Sequence, residues 1–150
     1  MLHGVKDLRV VSNFPCRTEC TINSFQESRT LPSPSSDEVQ VRISSTGLCG
    51  SDLHYFNHYR NGDIIVREPL TLGHESAGVV TAVGSSVTSL AVGDRVALEV
   101  GLPCKECALC QEGRYNICKT LRFRSSAKSF PHFQGTLQER INHPAERCYK

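Results

Sequence analysis

The chain has 150 residues, with 17 Lys and Arg against 15 Asp and Glu, giving a net charge of +2. That length suits one domain with its own core, and the charge balance gives no electrostatic case for nucleic acid or an anionic membrane. No apolar run approaches the roughly 20 residues of a membrane span, and the first residues hold no signal-peptide core, so a cytoplasmic location is expected.

In chain order, residues 31–36 (Leu-Pro-Ser-Pro-Ser-Ser) read as a stiff polar connector. Residues 39–43 alternate apolar and polar, which predicts a half-buried strand. Residues 51–59 predict a short helix, with Ser51 placed to cap it. Residues 76–83 are β-branched or small and predict a strand that ends at Gly84-Ser85-Ser86. Gly93-Asp94 is a turn, and residues 95–98 form the next strand. A helical turn or two is expected over 108–113, and late strands over 136–142 and 148–150. Short strands punctuated by Gly and Pro predict a mainly β chain, a small barrel or sandwich.

The chain holds eight cysteines and no Gly-x-Gly-x-x-Gly or Walker loop. Without signs of secretion, such cysteine usage points to metal or catalysis over disulfides. Cys104, Cys107, Cys110 and Cys118 form C-x2-C-x2-C-x7-C. Four thiolates so spaced can converge on one tetrahedral zinc, at about 2.3 Å each. All four positions come from protein, so the role is structural, and Pro103 and Gly113 supply bends for a lobe over 101–120. Unliganded cysteine and an iron–sulfur cluster are the other readings. A nucleic-acid-binding zinc ribbon is a further one. Arg114, Lys119, Arg122, Arg124 and Lys128 follow or flank the cluster and favour it, while the small net charge opposes it.

A second constellation lies upstream: Cys49-Gly50-Ser51-Asp52, then Gly73-His74-Glu75-x2-Gly78-x5-Gly84. A thiolate, an imidazole and a carboxylate make a mixed zinc ligand set, and three protein ligands leave a position open for chemistry.

With residues 47–55 (Gly-Leu-Cys-Gly-Ser-Asp-Leu-His-Tyr), these motifs resemble the zinc-containing alcohol dehydrogenase signature. Glu68-Pro69, residues 93–99, Pro103, residues 113–116, residues 135–137 and residues 143–145 bring the likeness closer to the sorbitol/xylitol (polyol) dehydrogenases of the medium-chain dehydrogenase/reductase superfamily. The resemblance implies a GroES-like, partly open β-barrel with short helices and a structural-zinc lobe. It implies that Cys49, His74 and Glu75 hold a catalytic zinc, giving two zinc ions per chain. Ser51 would relay the alcohol proton, Asp52 would fix the His74 tautomer, and Tyr55 and Phe123 would line the polyol pocket. The implied reaction takes a secondary alcohol to a ketone, by hydride transfer to NAD or NADP.

Two departures shape the expectation. Family members carry a Rossmann cofactor domain, and this sequence holds no such Gly-rich turn, so the chain alone is expected not to turn over a polyol. Residues 11–26 have no counterpart in the family pattern. Without them, 2–10 runs directly into 27–29 and restores the expected pair of strands. Val11-Ser12 and Phe25-Gln26 can be encoded by splice-donor-like and splice-acceptor-like codons, so the segment reads as a retained intron or a tolerated loop. Cys16 and Cys20 fall inside it. The principal reading is thus the zinc-binding catalytic domain of a polyol dehydrogenase. The alternative is a non-catalytic zinc module that associates with another chain, such as a Rossmann-containing homologue. An open zinc site argues against the ribbon.

Overall fold

The computed structural model describes residues 3–11 and 23–150. Strands β1 (His3–Val11) and β2 (Asn23–Leu31) pair antiparallel along their length, from His3 opposite Leu31 to Val11 opposite Asn23. Val11 and residues 23–26 of the suspected insert are therefore strand, whereas 12–22, with Cys16 and Cys20, lie outside the described residues. The chain continues through β3 (Glu38–Gly47), α1 (Gly50–His58), the two-residue strands β4 (Arg60–Asn61), β5 (Ile64–Ile65) and β6 (Leu70–Thr71), and β7 (Glu75–Val83). After β8 (Arg95–Leu98) and β9 (Gly101–Leu102) come α2 (Ala108–Gln111), β10 (Arg122–Phe123), β11 (Arg140–Pro144) and β12 (Cys148–Tyr149).

The main sheet has five antiparallel strands in the order β11-β3-β7-β8-β12. Its inward residues follow the period of two: in β8, Val96 and Leu98 are buried while Arg95 and Ala97 are exposed. With Val39, Val41, Val80, Leu90, Val100, Ile141, Ala145 and Cys148 they form the first core. A second sheet, β2-β1-β6, touches the main one where β2 meets β11, which closes part of a barrel. The second core joins Tyr55 and Tyr59 at α1 to Val66, Leu70, Leu72 and Ala127.

The strand expected over 136–142 begins only at Arg140. Residues 135–137 instead give their N–H groups to the carbonyls of Thr71, Gly73 and Leu72, at 2.8–2.9 Å. Those bonds hold the segment that leads into His74. Ser51 is not the helix cap either. Cys49 occupies that position, and its N–H goes to Asp52 Oδ2 at 3.1 Å.

Arg124 braces the end of the barrel from inside. It donates to His143 Nδ1 (3.1 Å), to the Gln134 carbonyl (3.1 Å) and to the Asn142 carbonyl (2.6 Å), and lies over the Phe133 ring. Burial lowers its guanidinium to about 10.

Candidate metal centres

The first centre follows from the β3–β7 pairing. Gly47, the last residue of β3, stands opposite Glu75, the first of β7. The chain leaving β3 therefore reaches Cys49 beside the chain that enters β7 through His74. Two register shifts interrupt this ladder, between Gln40 and Val41 and between Ile43 and Ser45, and decide which residues face each other at that end. A Cβ on Gly47 would lie 2.6 Å from Glu75 Oε2 and would push that carboxylate aside. Gly73 has φ +88°, and a Cβ there would lie 2.6 Å from Thr46 Cγ2.

One ligand atom each from Cys49, His74 and Glu75 lies within 4.8 Å of the others. Asp52 organises them. Its carboxylate accepts from Cys49 N (3.1 Å), Gly73 N (2.9 Å) and Ser125 Oγ (2.8 Å). His74 Nδ1 sits 3.5 Å from Asp52 Oδ1, an ion-pair distance short of a formed hydrogen bond. With Nδ1 turned to Asp52, Nε2 is the nitrogen left for a ligand. Burial alone would raise Asp52, but His74 and the three donors outweigh it and hold the acid at about 2. The Asp52 carboxylate in turn raises His74 to about 9, against burial. The Ser51 N–H and hydroxyl, with His74 close by, lower the Cys49 thiol. An imidazole made more basic by a carboxylate, beside a thiol biased toward thiolate, is a good donor set for a cation.

Phe123 places its ring edge-on to His74, centroids 5.2 Å apart, and remains 39% exposed, as a pocket wall would. Tyr55 is elsewhere. Its ring is 3% exposed in the second core and its hydroxyl takes the Ala127 N–H, because it lies on the face of α1 that packs inward. Ser125 was not legible beforehand. It is 3% exposed and has φ 62°, a left-handed conformation unusual for serine, with its N–H fixed on the Phe133 carbonyl at 2.8 Å. A serine in Arg124-Ser125-Ser126 carries no spacing signal that would single it out.

The second centre is local in sequence. The sulfurs of Cys104, Cys107, Cys110 and Cys118 lie within 4.8 Å of one another, four of the separations being 3.5–3.9 Å. Tetrahedral sulfur at about 2.3 Å from zinc requires sulfur–sulfur edges of about 3.8 Å, so the set fits. Two backbone N–H groups point at sulfur: Cys107 N at Cys104 Sγ (3.4 Å) and Cys104 N at Cys118 Sγ (3.5 Å). The Cys104 N–H and Thr120 hydroxyl lower Cys118 to about 6, and the Glu106 and Cys107 N–H groups lower Cys104. Burial and the neighbouring Cys107 push Cys110 up to about 12. The lobe is tied to the barrel by Arg147, whose guanidinium lies over the Tyr115 ring and pairs with Glu99, and by Lys105 on Glu146 at 2.8 Å.

Residues 35–150 match the family model described as the alcohol dehydrogenase GroES-like domain. The chain is 44% identical over 125 residues to D-xylulose reductase A of Aspergillus oryzae, covering 83% of this chain and 34% of that protein. It is 46% identical over 120 residues to sorbitol dehydrogenase of Arabidopsis thaliana, covering 80% and 32%. The crystal structure of L-idonate 5-dehydrogenase from Escherichia coli superposes with a TM-score of 0.83 at 28% identity, over 99% of this chain and 40% of that one. The chain thus spans about a third of the length of the curated relatives it matches.

Proposed function

Since the chain belongs to the alcohol dehydrogenase GroES-like domain family, we propose that it is the zinc-binding, substrate-activating domain of a polyol dehydrogenase. In the complete protein, a secondary alcohol of a sorbitol- or xylitol-like polyol is oxidised to a ketone by hydride transfer to NAD or NADP. The observation that carries this reading is the convergence of Cys49, His74 and Glu75, with Asp52 behind His74. These three residues would hold a catalytic zinc, and the four cysteines of the lobe a structural one. When bound, a catalytic zinc supplies Lewis acidity that lowers the pKa of a substrate hydroxyl.

The residues of this chain do the rest. Asp52 holds the His74 ring in one orientation and tautomer. Ser51, whose hydroxyl lies at the Cys49 sulfur, would take the hydroxyl proton and pass it outward. Phe123 covers His74 on one side and presents an apolar wall to the carbon chain of the substrate. His74, the N–H groups of Gly73 and Cys49 and the Ser125 hydroxyl together keep Asp52 ionised at neutral pH.

Zinc content tests the reading. The purified chain should hold two zinc ions, one for each cluster. His74→Ala should leave one, with the far-UV spectrum unchanged. A wild-type chain that holds a single zinc refutes the catalytic centre.

A further inference from the structure

The five basic residues from Arg114 to Lys128 do not share one face. Arg114 stands 3.8 Å from Glu112, and Arg124 is buried in its brace. The other three, Lys119, Arg122 and Lys128, line a single cavity of about 190 Å³ together with Ser126, Ser129 and Phe123. No Asp or Glu lines it. None of the three cations pairs with a carboxylate among the described residues. The Arg122 guanidinium carbon lies 4.4 Å from the centre of the Phe133 ring, a contact that uses none of its N–H donors on a carboxylate. Three unpaired cations in one concavity, in a chain whose net charge is only +2, make a local site for a multiply charged anion.

The cavity also lies near the first metal centre. Phe123 is one of its lining residues, and the Phe123 ring meets the His74 ring with centroids 5.2 Å apart. A ligand seated there lies one aromatic ring away from the Cys49–His74–Glu75 cluster. We infer that Lys119, Arg122 and Lys128 bind the phosphate monoester end of a phosphorylated polyol whose hydroxyl end reaches that cluster. This rests on the catalytic reading of Cys49, His74 and Glu75. Phosphate suits the site better than carboxylate. A carboxylate is satisfied by one bidentate arginine, whereas a dianion with three outer oxygens can engage cations from three residues. Free phosphate shares this chemistry, and the test separates the two.

The experiment uses the zinc-loaded 150-residue chain and reads binding by titration calorimetry, so it needs no hydride acceptor. Zinc per chain is counted first. The probes are sorbitol 6-phosphate, sorbitol and inorganic phosphate. Sorbitol 6-phosphate should bind at least about tenfold more tightly than sorbitol, the effect of one charge-assisted hydrogen bond. The double variant Lys119→Ala/Lys128→Ala, with an unchanged far-UV spectrum, should lose that preference. Arg122→Gln should weaken it, and added salt should weaken it in the wild type. Equal binding of sorbitol and its phosphate overturns the inference, as does a preference that survives the double variant. Inorganic phosphate binding as tightly as the ester overturns the substrate assignment. A chain with one zinc that keeps the lysine-dependent preference refutes the catalytic reading and supports the cavity.

Discussion

Ser125→Ala should weaken zinc at the first centre without touching the second. The variant removes one donor, the 2.8 Å bond from Ser125 Oγ to Asp52 Oδ1. Hydrogen bonds to a charged group contribute about 1.5–3 kcal/mol. Asp52 keeps the N–H groups of Gly73 and Cys49, so the carboxylate is loosened rather than released. Removing the direct partner of a metal-bound histidine typically costs about 10- to 100-fold in affinity. Ser125 acts one bond further out, so the loss should fall near about tenfold, or about 1.4 kcal/mol. Competition with a chromophoric chelator reads both zinc ions, and the four-cysteine site serves as an internal control. Ser125→Gly separates side chain from backbone, because glycine adopts φ 62° without strain. Both variants should release zinc from the first site with the same shift. Wild-type affinity in both would refute the role assigned to the hydroxyl. A defect in Ala that Gly corrects would assign the effect to the backbone instead.

Acid should destabilise the fold through His143. Burial, followed by the charge of Arg124, lowers its imidazole from 6.5 to about 3, and Arg124 Nε donates to its Nδ1. The unfolded chain therefore binds the proton that the folded one excludes. Stability is full above pH 6.5 and falls by roughly 1.4 kcal/mol per pH unit down to about pH 3. Urea titrations across that range should flatten for His143→Gln, and an equal slope in both proteins would contradict the assignment. Cys118→Ser should abolish zinc in the lobe and increase proteolysis within 104–118. Tryptic mapping should show the five-stranded sheet still protected, because its core draws on none of the four cysteines. Deleting residues 11–26 should give a chain that folds and holds the same zinc, since Asp7 still faces Glu27 and residues 8–10 then form the turn of a shorter hairpin. A deletion variant that precipitates, or transcripts that never omit the segment, would argue that it is an integral loop.

The two centres were legible to different degrees, for a physical reason. The four cysteines lie within fifteen residues, so spacing alone constrains the geometry, and their sulfurs converge as the spacing predicts. Cys49 and His74 are 25 positions apart, and no local rule brings them together. The register of β3 on β7 does so, and that register depends on two shifts that alternation cannot reveal. The resemblance to a known signature supplied what local physics could not. The same distinction explains the misses. Residues 136–142 carry strand composition, but 135–137 use their backbone donors on 71–73 and so position His74 instead of extending a strand. Tyr55 sits where the helix face decides, and that face looks inward to Val66 and Leu70.

Polar residues away from the metals set the precision of the first centre. Asp52 touches α1 through Cys49 N, the β6–β7 segment through Gly73 N, and the 124–134 loop through Ser125 Oγ. Each is a separate stretch of chain, so one buried carboxylate fixes their mutual positions. Burying that charge without partners would cost several kcal/mol. Its donors remove the penalty only when all three segments are in place. The orientation of His74 is therefore coupled to correct closure of the barrel end, and a poorly closed fold would bind the metal weakly. The cluster that prepares His74 also reports on the fold around it.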